Sequence, residues 1–584
     1  MMYLILLHLS LLILSGNLFS QDWHRASVEP VNGSVSIQTA EGLAASFDFR
    51  NTLNQLPGWP QTIPVNQYFK PFRGLALADL DNDDTLEVIA SSASQITAFN
   101  YDGTERWTRN VTNFAQYCPS VADVNNDGWP EIVQVTRGAT SGGRIYLLDR
   151  DGNDLPGWPV SLSNRNLAGA ACLADVDGDS LLEIIVGSRQ YPIGYLHILK
   201  LDGTSFSPDW PAALDHVPAV TAAAGDVDAD GEMEIVYCSY NSLYVFNLQG
   251  QPENGWPVTP TTSNFSYQSP WLADINGDGK LEIIVGTSGN SPIMAVYDYA
   301  GQMLSGWPKN FPAWSYGAPT AVDLNNQGDW KLFDGCQGGT SPTAVLFGFD
   351  PQGQNLPHFP LVKAGGAEGF LSIADVDGDG EMEILTDDNL TDPEGKGFIH
   401  AFDLDSGNEV PGFPLRPTGF TYMNGAEVAD IDHDGTLDIA AVTYTEQFTY
   451  INVWSTGVSY APEKILFATY HGNYARSGFN PPIPPTVLSH GNNENLIKQT
   501  SLTIYPNPMN ASCRIRLELS RESRGELSLY DLTGRKVKQL HKGGFRSGEN
   551  IFYLNAEDLG SGLYFIVFQS NRAYLLTQKL ILLK

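Results

Sequence analysis

Cations are scarce in this chain. Lys and Arg total 33 against 66 Asp and Glu, a net charge of −33 over 584 residues. Nucleic acid is held by cationic surfaces, so that class of partner is disfavoured. Charged residues of both signs make up only 17%, against 42% hydrophobic and 11% aromatic. Disordered chains show the opposite balance. Cysteine is also rare. Cys118, Cys172, Cys238, Cys336 and Cys513 are odd in number, and no CxxC occurs. A spaced disulfide framework is therefore not read. Buried, mostly reduced thiols are expected, with one incidental disulfide left open. No apolar run of 18 residues and no helical periodicity of useful length follows the N-terminus. HExxH, GxSxG, a P-loop and a dinucleotide fingerprint after a strand are missing.

What is present begins with an export signal. Leu4 to Leu14 is almost wholly apolar and leads into a small polar stretch ending at Ser20. The run is too short to span a bilayer and sits where a signal peptide sits, although it has no leading Lys or Arg. Residues 1–20 read as a signal peptide cut near Ser20–Gln21. No Cys stands near the cut to carry a lipid. The mature chain is expected to be soluble or attached by other means, with 21–50 as a lead-in.

The centre is a repeat. An acidic motif recurs with first aspartates at Asp79, Asp123, Asp175, Asp226, Asp274, Asp323, Asp375 and Asp430. An apolar run of the type Glu-Ile-Ile-Val closes each copy. Between copies lies a second motif, LPGWP at 56–60 and 155–159, with relatives carrying Trp210, Trp256, Trp307, Phe359 and Phe413. Each period of roughly 50 residues thus offers four short strands, the last bearing a Pro suited to an edge. This is the pattern of propeller blades. The fold class expected for 51–480 is an all-β propeller of eight four-stranded blades, with seven blades plus an irregular unit as the alternative. The first Trp-Pro segment precedes any blade of its own, so it is expected to complete the last one. The repeated aromatics are expected to pack blade on blade rather than form sugar platforms.

The acidic loops point to a hard cation. Numbered from the first Asp, positions 1, 3, 5 and 9 are Asp, Asn or Glu, and position 6 is usually Gly. Calcium takes six to eight oxygens, including backbone carbonyls. Position 7 varies freely, as a main-chain ligand allows. The candidate ligand sets are Asp79, Asp81, Asp83, Thr85 and Glu87; Asp123, Asn125, Asp127, Trp129 and Glu131; Asp175, Asp177, Asp179, Leu181 and Glu183; and Asp226, Asp228, Asp230, Glu232 and Glu234. They continue with Asp274, Asn276, Asp278, Lys280 and Glu282; Asp375, Asp377, Asp379, Glu381 and Glu383; and Asp430, Asp432, Asp434, Thr436 and Asp438. Of the 66 acids, 31 fall in the eight nine-residue windows, far more than turn formation needs. An EF-hand would put its last acid at position 12 between helices. In the loop at 323, Asn325, Gln327 and Lys331 replace expected acids, and this loop is expected to be empty. Up to seven calcium ions are expected.

GDVDADGEMEIVY and ADINGDGKLEIIVG resemble the FG-GAP/VCBS repeats of integrin α-subunit propellers and of many bacterial surface proteins. The resemblance spans about 51–480. It implies a β-propeller with calcium between the first and second strands of a blade. The chain departs from it at the 323 loop and in lacking a clear Phe-Gly…Gly-Ala-Pro cage in most copies.

Residues 481–500 read as a Pro- and Asn-rich linker. From 501 the charge reverses: 12 Lys and Arg against 7 Asp and Glu give +5, leaving −38 for the rest. Short strands there suggest a small immunoglobulin-like β-sandwich. YPNP, LYDLTGRKV, LGSGLYFIVF and the terminal KLILLK resemble the C-terminal sorting domain of type IX secretion in Bacteroidetes-type bacteria. That resemblance implies the type IX machinery as a partner and an outer-surface or secreted location.

For function, two classes stand: a binding or adhesion module for a glycan or protein, and a calcium-dependent polysaccharide lyase. A lyase needs a base and a charge-neutralising group beside the cleaved bond. No Lys, Arg, Tyr or His cluster marks one, so binding is preferred and no catalytic residue is named. Following strand direction through a blade, the connections between blades lie opposite the acidic loops. Phe72, Tyr117, Tyr267, Tyr316 and Tyr422 sit there. They are either a ligand-stacking site or packing at the channel mouth.

Overall fold

The computed structural model describes residues 22–28, 33–40, 53–479 and 501–582. Short breaks fall at 139–141, 163–165, 261, 266, 290, 326, 506–511, 520–522, 532–534, 547, 557–558, 560–561 and 571–574. The expected signal peptide and the 481–500 linker lie outside the described residues. Two compact units emerge, one running to Ser489 and one comprising His490–Lys584 with Gly277–Gly279. Among the described residues every regular element is a strand, apart from one 3-10 turn at Pro462–Lys464. No helix there is long and apolar enough to cross a membrane.

The first unit is a ring of antiparallel sheets. Blade one is Ala76–Ala78, Glu87–Ser92, Gln95–Phe99 and Glu105–Asn110, paired in chain order. Seven further sheets repeat this plan. Their innermost strands are Ser120–Ala122, Asn166–Ala174, Ala223–Gly225, Trp271–Ala273, Thr320–Asp323, Ser372–Ala374 and Ala426–Ala429. In blades two, four and seven the outer position is held by single bridges to Val160, Val258 and Leu415.

The register is the same in all eight. The residue before the first Asp pairs with position 9, as in Ala78↔Glu87, Gly225↔Glu234, Val322↔Lys331 and Ala429↔Asp438. Strands two and three are buried on both faces, which explains their continuous apolar runs in place of alternation.

Closure falls where the first Trp-Pro segment suggests. Gln61–Pro64 pairs antiparallel with Phe448–Ser459 and supplies the outer strand of blade eight. The repeated aromatics lie between blades. Trp59, Trp158, Trp210, Trp256, Trp307, Phe359 and Phe413 are all at most 8% exposed. Each Trp indole donates to a carbonyl of the following blade, for example Trp158 to Leu201 at 2.7 Å. Trp107, which has no Pro after it, does the same toward Arg150. Gly58 turns the chain at φ +90°, and a Cβ there would meet the Asp102 carbonyl oxygen at 1.9 Å.

Two segments fill the channel. Ile465–Phe467 pairs with Ser372–Ala374 in blade seven. The chain then accepts backbone hydrogen bonds from Val428, Val121, Leu173, Ala224 and Leu272 in turn, blade after blade. Arg476 on this strap is fully buried and donates to Leu75 O, Pro119 O and Tyr470 O. At the end opposite the acidic loops, a hairpin of Trp23–Val28 and Val35–Ala40 pairs with Leu390–Thr391 and roofs the ring.

The second unit is a two-sheet sandwich. Ser501–Tyr505, Ser512–Leu519 and Gly548–Asn555 form one sheet, and Lys536–Phe545, Ser523–Asp531, Gly562–Ser570 and Leu575–Leu582 the other. Leu502, Ile515 and Leu517 face Leu527, Ile566 and Phe568 in one core. All five cysteines are buried and unpaired.

Candidate metal centres

Each acidic loop spans the connection of six to eight residues between the first and second strands of a blade. Its backbone N–H groups point inward and are satisfied by the loop's own acids. The position 2 N–H donates to one oxygen of the position 9 carboxylate: Leu80 to Glu87 Oε2 at 2.7 Å, Val227 to Glu234 at 2.8 Å, Val376 to Glu383 at 2.7 Å, and Ile431 to Asp438 Oδ2 at 3.0 Å. The position 7 N–H donates to the position 5 carboxylate, as from Thr85 to Asp83, Trp129 to Asp127, Leu181 to Asp179, Glu232 to Asp230, Glu381 to Asp379 and Thr436 to Asp434. The first Asp accepts from position 6, as from Gly231 to Asp226 and Gly435 to Asp430. At positions 5 and 9 these bonds hold one oxygen and leave the other for the loop centre, whereas the first Asp accepts N–H groups on both oxygens, as at Asp79 and Asp226.

Five loops bring three carboxylate oxygens within 4.8 Å of one another: Asp79, Asp81 and Glu87; Asp175, Asp177 and Glu183; Asp226, Asp228 and Asp230; Asp375, Asp377 and Glu383; and Asp430, Asp432 and Asp438. Two oxygens on one calcium are at most about 5 Å apart, so the spacing fits. Asp81 Oδ1, Glu383 Oε1, Asp430 Oδ1 and Asp438 Oδ1 are buried without a hydrogen-bond partner. Buried unpaired carboxylate oxygens are costly, and a dication is what such a set accommodates.

The position 9 acids are held near neutrality. Burial, above all, pushes Glu87, Glu183, Glu234 and Asp438 up to about 7 and Glu131 and Glu383 up to about 8. Neighbouring loop carboxylates add to the rise in each. A bound cation acts in the opposite sense.

The loops at 123 and 274 are arranged differently. Asn125 and Asn276 turn their amide N–H groups to Glu131 Oε1 at 3.0 Å and Glu282 Oε1 at 2.7 Å. Ligation by their amide oxygens requires a half-turn of the amide. Lys280, at position 7, lies over the Tyr299 ring at 3.4 Å. In the 323 loop, Lys331 forms an ion pair with Asp329.

The five channel-mouth aromatics converge. Phe72, Tyr117, Tyr267, Tyr316 and Tyr422 are each at most 4% exposed and belong to one cluster with Ala26, Val28 and Val35 of the hairpin. Phe72 and Tyr316 each set an edge-to-face contact with Tyr267. The Tyr422 hydroxyl accepts from the Val28 N–H and donates to Glu368 Oε2, both at 3.1 Å. This geometry favours packing, since among the described residues the five rings are buried together with Ala26, Val28 and Val35 of the hairpin. The hairpin carries no motif that marks it as a lid; its alternating HRASV and VSIQTA runs are the only signal.

The fold and site thus define an all-β propeller with acidic, metal-type loops and a separate β-sandwich. Residues 123–186 and 226–285 match the FG-GAP-like repeat, and residues 503–583 match the secretion system C-terminal sorting domain. The chain therefore carries FG-GAP-like repeats and a type IX secretion tail. That tail marks a Bacteroidetes-type protein delivered to the cell surface or released, and implies contact with the secretion machinery. No curated protein matches in sequence.

Among solved structures, similarity is found to the biofilm matrix protein Bap1 of V. cholerae (14% identity, 73% of this chain and 91% of that one, TM-score 0.46). It is also found to the exotype rhamnogalacturonan lyase YesX (15%, 70% and 76%, TM-score 0.46). A third is the PilY1 C-terminal domain of Pseudomonas aeruginosa (11%, 63% and 93%, TM-score 0.35).

Proposed function

We propose that this protein is a calcium-ordered binding module of the outer cell surface, taking a glycan or protein ligand. The observation that carries the calcium reading is the convergence of carboxylate oxygens within 4.8 Å in the loops at 175, 226, 375 and 430, with Glu383 Oε1, Asp430 Oδ1 and Asp438 Oδ1 buried and unpartnered. Calcium supplies the positive charge that lets these acids stay ionised side by side. The chain's own part is to aim them: the position 2 and position 7 N–H groups fix the carboxylates before any ion arrives.

The ligand face we favour is the one opposite the metal loops. Exposed aromatics stand there on turns and blade connections: Tyr191 at 76%, Tyr68 at 59%, Phe448 at 46% and Trp314 at 36%. Aromatic rings with a polar edge are suited to sugar faces and to peptide anchors. The test is retention of the purified full chain on an array of acidic and neutral polysaccharides, with calcium and with chelator. Calcium-dependent retention that falls on Tyr191→Ala or Trp314→Ala supports the reading. Release of unsaturated sugars from the array would replace it with a lyase.

A further inference from the structure

The first acidic loop differs from its siblings in a way its own sequence does not announce. Arg106 lies on Glu105–Asn110, the outer strand of the same blade, about twenty residues beyond the loop. Its Nη1 makes an ion pair with Asp81 Oδ2 and stands 3.7 Å from Glu87 Oε1. The guanidinium side chain is only 18% exposed, and the Glu87 side chain 2%. Glu87 gives its other oxygen to the Leu80 N–H, as position 9 does in the sibling loops. Arg106 therefore addresses the same position 3 and position 9 carboxylates that a metal in this loop would use. Among the described residues, the carboxylates of the loops at 123, 175, 226, 375 and 430 take part in no such ion pair.

We propose that Arg106 is an internal cation that replaces calcium in the loop at 79. This rests on the calcium reading of the other loops. The 323 loop carries a cation of its own, Lys331 at position 9; here the charge arrives from the outer strand of the blade. An arginine stays protonated at any pH a protein meets, and its planar fork suits a pair of carboxylates. A calcium ion entering this loop must first displace it, breaking a half-buried ion pair. Replacement also has a structural logic. The Leu86 N–H of this loop donates to the Ile431 carbonyl at 2.8 Å, across the seam where blade one meets blade eight. With a tethered cation the seam holds its geometry whatever the calcium concentration outside the cell.

The experiment compares the full-length wild type with Arg106→Gln. Crystals of both are grown in calcium at a concentration that fills the loops at 226 and 375, and anomalous maps are recorded. Calcium per chain is counted in parallel by equilibrium dialysis. The expected result is no ion at Asp79 in the wild type, an ion at Asp79 in the variant, and a count higher by one. The variant should also lose more melting temperature in chelator than the wild type does. An ion at Asp79 in the wild type overturns the proposal. So does an empty loop in the variant while 226 and 375 are filled, because something other than Arg106 would then disable the site. If no loop in either protein takes calcium, the calcium reading falls and this inference falls with it.

Discussion

The indole N–H of Trp59 donates to the carbonyl of Tyr101 at 2.9 Å, and these residues belong to the last and the first blade of the ring. The bond recurs from Trp158 to Leu201, Trp210 to Leu248, Trp256 to Tyr299 and Trp307 to Pro351. Each ring fills an inter-blade gap and each N–H satisfies a carbonyl across it. Trp256→Phe keeps most of the packing and loses the bond, so a cost of about 1–3 kcal/mol is expected. Trp256→Ala loses both, at about 3–5 kcal/mol. Denaturant midpoints with unchanged slope measure the difference. Quenching of these tryptophans by acrylamide should be poor; ready quenching would mean the rings are not buried.

Calcium should raise the melting temperature of the full chain, and chelator should lower it. Metal that binds only the folded state adds about 2.7 kcal/mol per site at a hundredfold excess over Kd. In crystals, the loops at 226 and 375 should hold ions and the loop at 323 should not. An unchanged melting temperature in chelator would sink the calcium reading, and an ion at Asp323 would sink the ranking of loops.

Glu383→Gln separates the structural from the metal-binding share of position 9. The amide oxygen can still accept the Val376 N–H, so the hairpin should form. The buried negative charge is gone, so in chelator the variant should melt at or above the wild type. In calcium it should melt lower, having lost a ligand at the 375 loop. A variant that melts below wild type in both conditions would assign Glu383 a packing role alone.

A pH effect is expected from blade seven. His400 is buried, and its ring nitrogens face Glu409 Oε1 at 2.5 Å and Asp388 Oδ2 at 3.2 Å. Burial and the Lys363 ammonium pull its pKa down, but the two carboxylates outweigh them and the net shift is upward. A pKa raised in the folded state means stability that is fully present below the unfolded value, about 6.5. It is lost as pH rises through the folded value. The melting-temperature gap between wild type and His400→Asn should therefore be widest near pH 6 and narrow in alkali. A gap that widens with pH would reverse the sign and refute the assignment.

The channel-mouth rings should behave as core. Tyr316→Ala is expected to lower the melting temperature by several degrees. Tyr422→Phe leaves the Val28 N–H and the Glu368 carboxyl without their bridge, at about 1–3 kcal/mol. Hydrogen exchange at Val28 should speed up in Tyr422→Phe. Loss of ligand retention with unchanged melting in either variant would restore these rings as a binding site.

The parts of this fold legible in the sequence are those repeated once per blade. Asp226, Asp274 and their siblings recur at one register, and so do Trp158, Trp210, Trp256 and Trp307. Repetition separates them from chance. The ring closure was legible because Trp59 stood one motif ahead of any blade. The strap at 465–479 was not legible, since each of its residues meets a different blade and no period survives. Tyr267 and Tyr316 could be placed at the channel mouth but not buried there, because the hairpin that covers them lies roughly 230 to 290 residues away in the chain. Arg106 sits in a strand that reads only as ERWTRN. Its partnership with Asp81 reaches across the blade, from the outer strand to the loop between the first two strands, and is invisible to any spacing rule.

The channel strap has a consequence for how the chain can assemble in time. Blade eight waits for Gln61–Pro64 from the start of the propeller, and the inner edges of the ring wait for Ile465–Phe467 and the residues to 479 from its end. No contiguous run of blades therefore owns a finished edge and a filled interior while synthesis is still under way. Pairings of such long sequence separation form late and slowly. The eight blades should thus mature in a single cooperative step once the whole repeat region is available. A chain stopped short of residue 479 would not hold a smaller propeller; it would hold blades with bare inner strands, open to proteases and to pairing with one another.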